Sequence, residues 1–406
     1  MSSSSQEQKP EPSVTDKKLT GENRPSLTPE QVRAGSTVIM THAERQTFWK
    51  KFLAGFEDTS DWPSDTSEQE NLQASQDQSQ RIKSAKAKDL LERARKAGIP
   101  PSQAFVGADL SGAELQGMNF LGFNLSGANL SKADLSEAKL RFANLNGANL
   151  SSAKLSGTDL REAELCSANL SSADLTRVDL SSANLSSADL AFADLSIANL
   201  RNTNLSRTDL SCAKLSSADL SSADLSNTDL SYADLMATNL DSTDLSEADL
   251  SYANLYGAYL GDANLSGTNL SGANLSRARI NDTTELEDKW RLVWEIVNLG
   301  AAGQDLSNAE LSNANLRNVD LSYANLSGVF MENADLSGAD LNGADLSNAY
   351  LIGVKMSGTN LSNVAVRKAQ FGENVDLSED MKRELEQRGA IFVDSPGDRS
   401  QVITLR

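Results

Sequence analysis

Large apolar residues recur every five positions over most of the chain. With the recurrent apolar residue taken as centre i, centres fall at 105, 110, 115 and onward to 280, and again from 306 to 371, giving 36 and 14 units. Leu fills 43 of the 50 centres, Ala 33 of the i−2 positions, and Asp or Asn 36 of the i−1 positions, so the unit reads A-(D/N)-L-S-x. On an α-helix five residues advance about 500°, so successive leucines would scatter round the axis and form no stripe. On a straight strand, i and i+5 point to opposite faces and half the leucines would meet water. The pattern therefore requires a chain that turns a corner once per unit, with i−2 and i inside and i−1 outside. It predicts an all-β repeat solenoid whose coils pair backbone to backbone about 4.8 Å apart. Ala at i−2 suits a narrow interior, and Gly, Ser, Asn and Asp suit the corners.

Other periods mark the rest of the chain. Residues 1–78 are rich in Ser, Gln, Glu, Pro and Thr and read as a flexible polar arm. Within it, Phe48, Phe52 and Phe56 at four-residue spacing predict a short amphipathic helix near 42–56, opened by a Thr41–Glu44 capping box. Residues 79–102 hold a basic capping helix that ends at Gly98 and Pro100-Pro101. The first repeat block then occupies 103–282. Residues 283–303 break the rhythm. Thr284 with Glu287 suggests a capping box, and Leu286, Trp290, Val293 and Val297 suggest the apolar face of an inserted helix that buttresses the coils. The second block spans 304–373. Residues 374–406 carry a last helix near 378–388 and a strand at Ala390-Ile391-Phe392-Val393, which would close the open edge of the last coil.

The period alone does not fix how many units close one coil. The run SSADLSSADLSNTDLSYADL resembles the pentapeptide-repeat family, and the wording of the helical insert resembles cyanobacterial members. That resemblance implies a right-handed quadrilateral β-helix, four units and 20 residues per coil, and a coil stack about 60 Å long. It also implies a non-enzymatic structural or protein-interaction role. An alternative within the family is a DNA mimic that modulates a topoisomerase such as gyrase.

Composition narrows the chemistry. The chain has 406 residues, one His (His42) and two Cys (Cys166, Cys212), which argues against dense metal sites, disulfide frameworks and most His-dependent catalysis. No nucleophile, metal or phosphate-binding motif stands in a suitable context, so no catalytic residue, cofactor or metal is expected. Net charge is −19, which disfavours direct nucleic-acid binding. Residues 105–280 hold 11 basic and 21 acidic residues, so the long coil block is the acidic body. No apolar run is long enough to span a bilayer, and the polar N-terminus leads to the expectation of a cytoplasmic protein.

With 20 residues per coil, one outward column carries Asp189, Asp209, Asp229 and Asp249 in succession. On the same face, the i+2 column carries Phe192, Cys212, Tyr232 and Tyr252. Stacked carboxylates about 4.8 Å apart repel by about 0.9 kcal/mol in unscreened water. An acidic ladder beside an aromatic one predicts a face for a basic protein partner made of Asp189, Asp209, Asp229, Asp249, Phe192, Tyr232 and Tyr252.

Overall fold

The computed structural model describes residues 85–373 and 376–393. All of them belong to one compact unit. The helix expected at 42–56, residues 79–84 and the tail from 394 lie outside the described residues.

The backbone pairs with itself at an offset of 20 residues. Parallel bridges join Asp109 to Asn129, Asp189 to Asp209 and Asp229 to Asp249, and Asp305 to Asn325 in the second block. Four units therefore close one coil, and the fold is a quadrilateral β-helix. The core is one continuous apolar column. Leu at the centres and Ala at i−2 are buried from Phe105 to Phe371, with Ala309 partly so.

The unit around Leu190 shows why the consensus takes its form. Four of its five N–H groups find backbone carbonyls. Ala188 donates to Leu185 O at 2.9 Å, Asp189 to Ala168 O at 2.9 Å, Leu190 to Asp209 O at 2.7 Å and Phe192 to Ser211 O at 3.0 Å. The fifth, of Ala191, donates to Asp189 Oδ1 at 3.0 Å. The i−1 residue thus supplies the acceptor that the coil lacks. Asn does the same, as Asn169 Oδ1 does for the Ser171 N–H at 2.9 Å. Where Asp or Asn stands at i−1, the fold uses its side-chain oxygen and not its charge.

The corner residue at i+2 is left-handed in every unit except the one centred on Ile280, with φ of 62° at Gly112 and 58° at Asn227. Where Thr replaces Ala at i−2, its hydroxyl donates back to a leucine carbonyl one coil earlier. Thr228 Oγ1 reaches Leu205 O at 2.9 Å, so the buried hydroxyl is satisfied.

Both ends are covered. Helix α1 (Ala85–Lys96) buries Ala87 against the same core as Phe105, and its Asp89–Arg93 and Glu92–Lys96 pairs lie along its own exposed face. At the other end, strands β1 (Tyr350–Ile352) and β2 (Gln370–Gly372) pair in parallel. Helix α3 (Glu379–Gln387) is capped by Ser378, which accepts the Met381 N–H, and buries Leu385. Strand β3 (Ile391–Phe392) then pairs with β2 and covers the last edge.

The insert differs from its sequence reading in one respect. Helix α2 runs Asp288–Leu299, and Glu287, at its N-cap position, makes no side-chain cap bond. Thr284 is no cap. It is buried and donates to Leu260 O at 2.8 Å, as other i−2 threonines do, while Glu285 pairs with Asn264. Coil backbone thus continues past 282 with one extra residue in the register, and Leu286 belongs to that coil and not to the helix. The buried face of α2 is Trp290, Val293 and Ile296, with Val297 half-buried.

A helix laid on a coil cannot supply the backbone of the next coil. Side chains on one stripe of α2 do so instead. Asn298 Oδ1 accepts the Arg277 N–H at 2.6 Å, Asn298 Nδ2 donates to Leu275 O at 3.0 Å, Trp294 Nε1 donates to Ala278 O at 2.8 Å, and Arg291 donates to Thr284 O at 2.7 Å. Beside the helix the second block joins the first directly, through the Gly272 N–H on Asn313 O at 2.7 Å.

Candidate partner-binding face

The coil register assembles the acidic column as the sequence predicts. Asp189, Asp209, Asp229 and Asp249 are successive bridge partners. Each holds its own turn through Oδ1, which accepts the N–H of Ala191, Ser211, Ser231 or Ser251 at 2.9–3.0 Å. Their Oδ2 atoms are left for solvent or a partner. No ion pair among the described residues involves any of the four.

The next face along the coil and the opposite face carry ion pairs. There Lys214 pairs with Asp194 at 3.4 Å, Arg201 with Asp219 at 3.3 Å, Lys154 with Asp134 at 3.4 Å, and Arg161 with Asp159 at 2.7 Å. The hydrogen bond from Arg161 holds the Asp159 carboxyl below the usual carboxylate range against the opposing effect of partial burial. Burial pushes Asp194 up, but bonds from Ser196 and the charge of Lys214 outweigh it and leave it lowered.

The aromatic column stands on the corner beside the acidic one. Phe192, Tyr232 and Tyr252 are 64%, 61% and 54% exposed, with Cys212 half-buried among them. The Tyr232 and Tyr252 rings stack at 5.0 Å between centroids and 11° between planes, one coil apart. Their backbone is fixed by Tyr232 N–H on Ser251 O and Tyr252 N–H on Ser271 O. All three aromatics sit at φ between 58° and 61°. Left-handed backbone costs a non-glycine residue about 1–2 kcal/mol, so a bulky ring here works against local stability. Cys166 and Cys212 are both free thiols. Helix α1 sits against the N-terminal coil and leaves these rings uncovered.

Sequence reasoning missed part of this surface. Ile197 (59% exposed, φ 60°) and Met236 (42% exposed) stand on the next corner over the same coils. The sequence signal was present: Ile and Met replace the Ser, Gly or charged residues usual at those columns.

The family model for pentapeptide repeats matches this chain in eight copies, over residues 105–141, 143–181, 183–221, 218–251, 253–284, 302–333 and 331–364. The chain belongs to the pentapeptide-repeat family. The right-handed quadrilateral β-helix of that family is the architecture seen here. Among solved structures, the chain is similar to HetL, a pentapeptide repeat protein involved in heterocyst differentiation regulation in the cyanobacterium Nostoc sp. strain PCC 7120. Identity is 31% over 68% of this chain and 93% of HetL, with a TM-score of 0.24. It is also similar to QnrB1, a plasmid-mediated fluoroquinolone resistance protein, at 18% identity over 45% of this chain and 87% of QnrB1, TM-score 0.24. A third is Rfr23 of the cyanobacterium Cyanothece 51142, at 36% identity over 27% of this chain and 64% of Rfr23, TM-score 0.13. No curated protein matches the chain significantly. Among the described residues, no helix is long and apolar enough to cross a membrane, and no group of three or more His, Cys, Asp or Glu is placed to hold a metal ion.

Proposed function

We propose that the protein is a non-enzymatic interaction scaffold of the cytoplasm, presenting Asp189, Asp209, Asp229 and Asp249 with Phe192, Tyr232 and Tyr252 to a basic protein partner. One observation carries this reading: bulky rings are held exposed on strained left-handed corners beside carboxylates that the fold could replace with Asn. Neither feature serves the coil, since Gly or Ser fills such corners elsewhere and Asn fills the same column at 149 and 169. A β-helix holds both ladders at fixed spacing, so little ordering entropy is lost when a partner docks. The rings contribute buried contact area, and the carboxylates contribute steering and orientation.

The test is quantitative affinity capture from the source cells with the wild-type chain, with Tyr232→Ala/Tyr252→Ala and with Asp209→Asn/Asp229→Asn. A partner retained by wild type should fall at least about tenfold with the tyrosine pair, a loss of about 1.4 kcal/mol. Equal recovery on all three overturns the reading. The DNA-mimic alternative draws on the excess of ten acidic residues over 105–280. It predicts that purified protein alters gyrase supercoiling, and the scaffold reading predicts no effect.

A further inference from the structure

Seven large apolar side chains are exposed between residues 105 and 286, and five of them gather on two adjacent corners. Phe192, Tyr232 and Tyr252 form one ridge; Ile197 and Met236 belong to the next. The coil side between the ridges presents Asp194, Lys214, Asp234 and Asn254, and these are already paired among themselves. Lys214 reaches Asp194 at 3.4 Å, Asn254 donates to Asp234 at 2.9 Å, and Ser216 donates to Asp234 at 2.7 Å. A partner lying there would cover polar groups that already hold hydrogen bonds, and Asp234, bonded only by neutral donors among the described residues, would favour a cation on that partner. The uncompensated row, Asp189 to Asp249, runs along the outer side of the first ridge.

Resting on the proposed scaffold reading, we infer that the partner docks through an amphipathic α-helix laid along the coil axis, with Lys or Arg on the edge facing the Asp189–Asp249 row. The apolar stripe of that helix rests between the two ridges. The spacing distinguishes a helix from a strand. The ladders repeat about every 4.8 Å, and a helix presents one face every 5.4 Å, so over the three steps from Phe192 to Tyr252 the two drift by about 2 Å. A strand repeats a face every 6.6–6.8 Å and drifts by about 6 Å, more than one full step. The width agrees. Three extended residues separate the corners, about 10 Å, which is the diameter of a helix with its side chains. Charge complementarity sets the basic edge, since no ion pair among the described residues engages the four carboxylates.

The probe is an 18-residue synthetic helix with a Leu stripe at i, i+3, i+4, i+7 and Arg along one edge, fluorescently labelled and titrated against the full chain. A second peptide of the same composition carries a central Pro. Binding should be at least tenfold tighter for the helix than for the Pro peptide. It should fall at least fivefold on Ile197→Ser/Met236→Ser, whose corner positions elsewhere carry Ser, with unchanged melting as the control of folding. Equal binding of the two peptides, or none by the helix, overturns the helical partner. If Tyr232→Ala/Tyr252→Ala weakens the helix but Ile197→Ser/Met236→Ser does not, the second ridge and this inference fail while the scaffold reading stands. If the source-cell capture also ignores the tyrosines, the scaffold reading fails with it.

Discussion

Asn298→Ala tests how a helix can interrupt a coil stack without leaving the backbone open. Among the described residues, Asn298 is the hydrogen-bond partner of the Arg277 N–H, at 2.6 Å, and the second partner of Leu275 O, which keeps the Ala278 N–H at 3.1 Å. Removing an amide that satisfies a buried donor costs about 1–3 kcal/mol, and because Arg277 is exposed, water offsets part of that here. The loss at Leu275 O adds about 0.5 kcal/mol, since one bond to it survives. The sum is about 2 kcal/mol, or roughly 30-fold in a local opening equilibrium. In a solenoid each coil contacts only its neighbours, so the effect stays at the junction. Hydrogen exchange should therefore show the Arg277 amide about 30-fold faster in the variant, with amides near Leu190 unchanged. Asn298→Asp separates the two halves: it keeps the acceptor for Arg277 and removes the donor to Leu275. Its Arg277 amide should stay protected, although a carboxylate at the end of α2 opposes the helix dipole. Wild-type exchange at Arg277 in Asn298→Ala would refute the view that this side chain stands in for the missing coil.

Other outcomes follow from the same geometry. Leu220→Ala should lower stability by about 2–5 kcal/mol through a cavity in the closed core, read by denaturant unfolding, while Thr228→Val should cost about 1 kcal/mol because Leu205 O keeps the Thr228 N–H. Asp209→Asn/Asp229→Asn should leave melting equal or slightly higher, since Asn still accepts the Ser211 and Ser231 N–H groups; a clear loss would show that the charge itself serves the fold. Phe192→Gly should hold or raise the melting temperature by relieving a left-handed corner, and weaken partner binding in the same protein. Asp159 and Asp194 have folded-state pKa values below their unfolded ones, so their contribution is present above about pH 4 and is lost as pH falls through the depressed values. Melting should be flat from pH 7 to 5 and decline below about 4, with a smaller decline in Asp159→Asn.

The candidate face is partly legible in the amino-acid sequence. The column of Asp189 to Asp249 and the rings at 192, 232 and 252 follow once the coil length is 20, because a strict repeat turns sequence separation into spatial adjacency. The reason for Asp or Asn at i−1 is hidden there. The need for an acceptor on the i+1 N–H becomes visible only when the other four N–H groups of the unit are traced to their partners. Ile197 and Met236 also escape a reading by columns, since they sit at different positions of their units and join one surface only through the geometry of adjacent corners.

The five-residue period by itself determined the solenoid, because no straight helix or strand can bury every fifth residue, and the composition of its core followed from the same constraint. Tertiary structure decided the places where the period stops. Thr284 and Glu287 carry the local wording of a helix cap, yet Thr284 is held in a coil because a buried position and a carbonyl at Leu260 are available to it. Arg291, Trp294 and Asn298 fall outside the apolar face that the sequence assigns to the insert. Their role arises from the backbone groups of the coil beneath, which need partners that no local pattern in the insert can specify.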